Sequence, residues 1–140
     1  MRRVCFPLFM MVLIAMPAWA QSGPCTESAI KQGKTPTSED LFSYMPPYGR
    51  PRIGRGEVQQ ANTDSFSKRT NVTRSWGDDH RIIPSASGDM AYEYGTQRMG
   101  YDENGKHTDF EAAMLIVYRA KGSVCETVAL TMHPLEDPPK

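Results

Sequence analysis

Apolar side chains are concentrated in the last third of the chain, in three runs whose spacing suits strands. Met90 to Tyr101 is rich in aromatic and apolar residues, and Phe110 to Arg119 holds five in succession, Met114-Leu115-Ile116-Val117-Tyr118. Val124 to Met132 alternates, with Cys125, Thr127, Ala129 and Thr131 predicted on one face and Glu126, Val128, Leu130 and Met132 on the other. Asp102-Glu103-Asn104-Gly105 separates the first two runs and contains Asn-Gly, a pair that tolerates the positive φ of a tight hairpin. Lys121-Gly122-Ser123 separates the second and third. Ile116, Val117 and Tyr118, between two short turns, favour a strand over a buried helix in the central run. The prediction is a three-stranded antiparallel meander that needs a cover.

The preceding chain is more polar and more broken. Thr26 to Gln32 predicts a short helix, stopped by Gly33 and Pro36. Ser38 to Tyr44, SEDLFSY, predicts a single capped helical turn, since Ser38 can accept from a following N–H and Glu39 and Asp40 suit a helix N-terminus. Pro46, Pro47 and Pro51, with Gly49, Gly54 and Gly56, predict an irregular loop. Glu57 to Arg69 predicts a helix directing Val58, Ala61 and Phe66 inward. Asn71 to Trp76 and His80 to Ile83 predict short strands joined at Gly77-Asp78-Asp79. Helical material followed by strands is the order of an α+β domain with helices on one face of an antiparallel sheet.

The N-terminus changes the accounting. Arg2 and Arg3, the uncharged run Val4 to Met16 and Ala18-Trp19-Ala20 have the layout of a cleavable export signal, so the mature protein is expected to be periplasmic or secreted, with no membrane association after cleavage. The expected organisation is a signal peptide over 1–20, an N-terminal segment over 21–37, one domain over 38–133 and a flexible tail over 134–140. Of 16 basic and 16 acidic residues in the full chain, Arg2 and Arg3 depart with the signal, leaving a slightly acidic protein. No Lys/Arg block or basic face interleaved with aromatics points to nucleic acid. Cys5 also departs, and in an oxidising compartment Cys25 and Cys125 are expected to form one disulfide, two unrelated thiols being the alternative.

Residues 40 to 133 carry a further pattern. Tyr44-Met45-Pro46-Pro47 is followed by Ile53-Gly54-Arg55 and a helix, then by Gly88-Asp89-Met90-Ala91-Tyr92 with Gly95, then by Val117-Tyr118-Arg119, the Gly122 turn and Val128-Ala129. In order and spacing this resembles the SnoaL-like, ketosteroid-isomerase-like group of the nuclear-transport-factor-2-like superfamily. The resemblance implies a curved antiparallel sheet of the cystatin-like type around a cone-like pocket, helices packed on one face to close its mouth, and often a homodimer. Members abstract protons beside carbonyls, cyclise, dehydrate or open epoxides, while others only bind, and fold alone does not choose among these. In the isomerases a carboxylate base immediately precedes the proline matched by Pro47. Here that position is Pro46, which cannot take a proton. The family's long N-terminal helix is also shortened to Cys25–Thr37, with a bond between Cys25 and Cys125 as its substitute, and Cys125 stands where a Trp is common.

Tyr92 and Tyr94 share one face of a strand and offer two phenols to orient a carbonyl or hydroxyl ligand, or else simply pack. Tyr44, which opens the first matched motif, and Thr131 and His133, in phase on the last run, complete the expected pocket set. Asp78-Asp79-His80 reads as a turn. His80, His107 and His133 lack metal-ligand spacing, no serine sits in a strained elbow, and neither a catalytic residue nor a cofactor is assigned. Three readings remain: a small-molecule-binding domain with an aromatic-lined pocket for a small apolar ligand; a general acid-base isomerase or hydrolase on a small carbonyl or epoxide, using Tyr94 and His133; and a dimerising structural or interaction protein.

Overall fold

The computed structural model describes residues 23–45 and 49–135. The expected signal peptide, Pro46 and Pro47, and the tail from residue 136 lie outside the described residues. The elements in order are α1 (Glu27–Lys31), β1 (Thr37–Tyr44), β2 (Arg52–Ile53), α2 (Arg55–Phe66), β3 (Arg69–Trp76), β4 (Arg81–Pro84), β5 (Met90–Glu103), β6 (Lys106–Lys121) and β7 (Val124–Pro134). The strands form one curved, unclosed sheet in the order β2-β1-β7-β6-β5-β3, with β4 also paired to β5.

The meander forms its centre. Asn104 and Gly105, at φ 52° and 76°, make the two-residue turn that sets Glu103 opposite Lys106, and β5 and β6 stay in register from there to Met90 and Arg119. Gly122 and Ser123 join β6 to β7, with Lys121 opposite Val124. Tyr118 then faces Thr127 while Val117 faces Ala129, so Val128 is an extra residue in β7. This bulge reverses the strand's facing. Cys125 and Thr127 therefore lie on the side opposite Ala129 and Thr131, where unbroken alternation puts all four together.

Ser38 to Tyr44 belongs to strand β1 and not to the helical turn that its Ser-Glu-Asp start suggests. It pairs parallel to β7, with Phe42 beside Ala129 and Tyr44 beside Thr131, and this non-local ladder outweighs the local capping preference. The sheet is thus mixed rather than wholly antiparallel. One border is formed by β2, only two residues long, beside a β1 segment carrying Glu39 and Asp40. The other border is shared by β3, kinked where its register shifts between Thr70 and Thr73 with Asn71 at φ 51°, and by four-residue β4, which ends at Pro84.

Both helices lie on one face. Thr26 caps α1 by accepting from Ala29 N–H, and buried Ile30 packs with Ala91, Tyr118 and the Cys25–Cys125 disulfide. Gly23 N–H and Cys25 N–H donate to the carbonyls of Ser87 and Gly88, both at 2.9 Å, tying the segment ahead of α1 to the loop before β5. A second cluster, Met99, Ala112 and Met132 with Met45 and Phe110 against it, lies at the α2 end. Between them the covered face holds Ile116, Glu93 and Gln97.

Candidate functional site

Ladder parity decides which side chains meet the helices. Ala91, Glu93, Gln97 and Met99 are buried on β5, whereas Met90, Tyr92, Tyr94 and Arg98 are exposed. Tyr92 and Tyr94 are 46% and 41% exposed, with ring centroids 6.0 Å apart. Tyr44, Thr131, Leu115 and Tyr94 form one row across four strands, and Phe42, Ala129, Val117 and Tyr92 form the next. His133 lies opposite Ala113. All five expected pocket residues, Tyr44, Tyr92, Tyr94, Thr131 and His133, consequently gather on the open face. There a solvent-open apolar groove of about 620 Å³ runs past Ile83, Met90, Tyr92, Leu115 and Val117.

The helix-covered face has its own cleft. Beneath α2, about 90 Å³ is enclosed by Met45, Met99, Met132 and Phe110 as apolar walls, with Phe66, Tyr101, Asn62, Ser65, Arg52 and Arg69 completing the lining. Met99 and Phe110 face each other across β5 and β6, and α2 brings Asn62, Ser65 and Phe66 over them. The volume is that of about three waters or a small organic molecule. Although smaller than the open-face groove, this cleft combines apolar walls with convergent polar groups under a helix, the composition expected of a ligand site.

Its electrostatics centre on Arg69. The guanidinium carbon lies 4.0 Å from the Tyr101 ring centroid and 5.4 Å from that of Phe66, so the cation is held between two aromatic rings. Arg69 Nε is buried and has no acceptor among the described residues. Arg74 lies against Phe66 as well, at 5.0 Å. Among the described residues no carboxylate, imidazole or thiol lines the cleft.

The covered face does contain one coupled acid and imidazole, further toward α1. Buried Glu93 accepts a hydrogen bond from Tyr118 Oη, and its Oε1 lies 2.7 Å from His80 Nε2. Burial first, and the bond to Glu93 second, push the Tyr118 phenol far above its ordinary range, so it remains a donor. The His80 ring is stacked on Trp76 at 4.3 Å. Gly95, at φ 151°, lets β5 pass close to His80, whose Cα would stand 2.8 Å from an added Cβ. This trio closes the sheet beneath α1 and contributes nothing to the cleft lining. Asp78 and Asp79 occupy the β3–β4 turn, where the Thr96 N–H bonded to Asp79 holds that carboxyl below the usual carboxylate range. Among the described residues no group of three or more His, Cys, Asp or Glu could hold a metal ion.

Sequence reasoning directed Phe66 inward but missed Arg52, Arg69, Met99, Tyr101 and Phe110. A usable signal was present. The two turns pair even-numbered β6 residues with Cys125 on one side and with odd-numbered β5 residues on the other, which sets Met99 and Phe110 beneath the helices and Tyr92 and Tyr94 opposite.

No protein-family model and no curated protein matches the sequence. Solved structures do match the fold. A ketosteroid isomerase-like protein from Erwinia carotovora atroseptica superposes with a TM-score of 0.60 at 12% identity, over 79% of this chain and 88% of that one. An NTF2-like protein with a cystatin-like fold from Novosphingobium aromaticivorans gives 0.56 at 13% identity, over 73% and 66%. The CaMKII hub of S. rosetta gives 0.58 at 12% identity, over 76% and 86%. The chain has the nuclear-transport-factor-2-like, cystatin-like fold.

Proposed function

We propose that this chain, built on the nuclear-transport-factor-2-like fold, is an exported protein that binds a small molecule in the cleft beneath α2 without transforming it. The observation carrying this reading is the lining: methionine and aromatic walls, two arginines and, among the described residues, no carboxylate or imidazole to move a proton. Tyr94 and His133 stand on the uncovered face, where water is not excluded, which weakens the support for acid-base catalysis. Export to the periplasm or outside the cell is supported by the N-terminal charge and hydropathy pattern together with the Cys25–Cys125 bond, which persists in oxidising compartments. Native mass spectrometry of the exported protein, with Met99→Trp as a cleft-filling variant, tests the reading. A copurified or added small molecule should bind the parent and be lost from the variant, with near-UV circular dichroism confirming its fold. Retention of that ligand by a folded Met99→Trp protein would remove the cleft from consideration.

A second role, homodimer formation through the open face, has its own observation. Phe42, Tyr44, Ile83, Tyr92, Tyr94 and Leu115 each remain between 37% and 46% exposed on one side of the sheet. A contiguous apolar surface of this kind is characteristic of association, and the same patch on a second copy is its natural partner. Sedimentation velocity should show a dimer that Leu115→Glu converts to a monomer. A parent that stays monomeric at high micromolar concentration would refute this role and leave the cleft reading intact.

A further inference from the structure

The described arginines fall into two groups. Arg50 pairs with Glu57, Arg55 with Glu39, Arg98 with Glu111 and Arg119 with Asp40, while Arg81 donates to the carbonyls of Asp78 and His80. Arg52, Arg69 and Arg74 have no hydrogen-bonded or ionic partner among the described residues. These three belong to one place: Arg52 and Arg69 line the cleft, and Arg74 lies against its Phe66 wall.

We infer that the cleft is selective for a small organic carboxylate, its short apolar body lying among Met45, Met99, Met132 and Phe110 and its negative end against Arg69, with Arg52 in support. The inference rests on the cleft being the ligand site and adds the chemical class. Phe66 and Tyr101 satisfy the faces of the Arg69 guanidinium but provide no acceptor for its N–H edge. Only Nε is fully enclosed; the terminal N–H groups of the guanidinium also have no protein acceptor among the described residues, and their planar fork matches a carboxylate. Among the described residues no acid lines the cleft itself, and the acid nearest Arg69 in the β3–β5 ladder is its cross-strand partner Glu103, outside the lining. The methionine walls and the volume of about 90 Å³ favour a carboxylate on a few carbons over inorganic phosphate, which has no apolar part to bury.

Calorimetric titration of the intact protein with butyrate, its neutral isostere butyramide and inorganic phosphate provides the test. Butyrate should bind at least about ten-fold more tightly than either of the others, about 1.4 kcal/mol. Arg69→Met, which keeps an apolar stem between the two rings, should remove that preference while circular dichroism stays unchanged. In the parent protein, butyrate affinity should also fall as the ligand is protonated, a readout that needs no variant. Equal binding of butyrate and butyramide would overturn the anionic class while leaving the cleft as a site. Phosphate binding as tightly as butyrate would overturn the carboxylate assignment. Binding of all three unchanged in Met99→Trp would displace the cleft reading itself.

Discussion

Removing the bond between Cys25 and Cys125 should cost this domain much of its stability. The cysteines are 100 positions apart in sequence, with Cα atoms 4.9 Å apart. In the chain-entropy description, a loop of this size restricts the unfolded ensemble by about 4.7 kcal/mol at 25 °C. Small domains typically have roughly 5–15 kcal/mol in total, so the bond is a large share of the margin. Five-residue α1 lies far below the roughly 12 residues at which an isolated helix begins to persist, so its position depends on tertiary anchors. Without the disulfide those are Ile30 in its cluster and the two backbone bonds from Gly23 and Cys25. Urea unfolding of the oxidised parent, the reduced parent and the Cys25→Ala/Cys125→Ala variant isolates the effect. With a urea dependence of about 1–3 kcal/mol per molar, the midpoint should fall by roughly 1.5 M or more in both bond-free forms, and those forms should agree within about 1 kcal/mol. Amide exchange at Cys25 should accelerate before that of β5 and β6. A bond-free midpoint within about 0.5 M of the parent would refute the reasoning.

Other expected outcomes concern individual groups. Tyr118→Phe removes the phenolic donor from buried Glu93 and should destabilise the fold by about 1.5–3 kcal/mol, the usual worth of a hydrogen bond to a charged acceptor, read by denaturant titration. An unchanged midpoint would exclude that bond as a support. At the β5–β6 hairpin, hydrogen bonding to Asp102 first and the charge of Asp109 next raise the His107 pKa above its ordinary 6.5. Its stabilising contribution should therefore be complete below pH 6.5 and disappear as pH rises through the folded-state value. Proton NMR should show the imidazole midpoint above 6.5 and moving down in Asp102→Asn; a parent midpoint at or below 6.5 would contradict the pairing. Asp102, lowered chiefly by Asn71 and then by His107, contributes in the opposite sense, losing its effect as pH falls below 3.8 and through its folded value.

The central meander was legible because its instructions are local. Asn104-Gly105 and Gly122-Ser123 set two registers, and apolar runs of strand length supplied the rest. β1 was not, because Ser38, Glu39 and Asp40 satisfy a helix-start pattern locally, while the β7 ladder that decides the matter lies about 90 positions away in the sequence. The facing of Thr131 and His133 relative to Cys125 was lost at Val128, since an inserted residue leaves no mark in composition. For the cleft, the apolar half could have been obtained by counting parity through the two turns. Arg69 could not, because its role arises only where α2, β3 and β5 bring Phe66, Arg69 and Tyr101 together.

The borders of the sheet have a consequence for how copies of this protein meet in a crowded compartment. A two-residue rung on one side, next to Glu39 and Asp40, and on the other the Asn71 kink of β3 beside a β4 of four residues closed by Pro84, give a newcomer no long, straight template for backbone pairing. Ribbon-like growth, rung added to rung, is therefore discouraged at both margins. The pairing proposed above uses neither margin: it would place a second copy on the broad tyrosine-bearing flat, a contact that closes at two molecules.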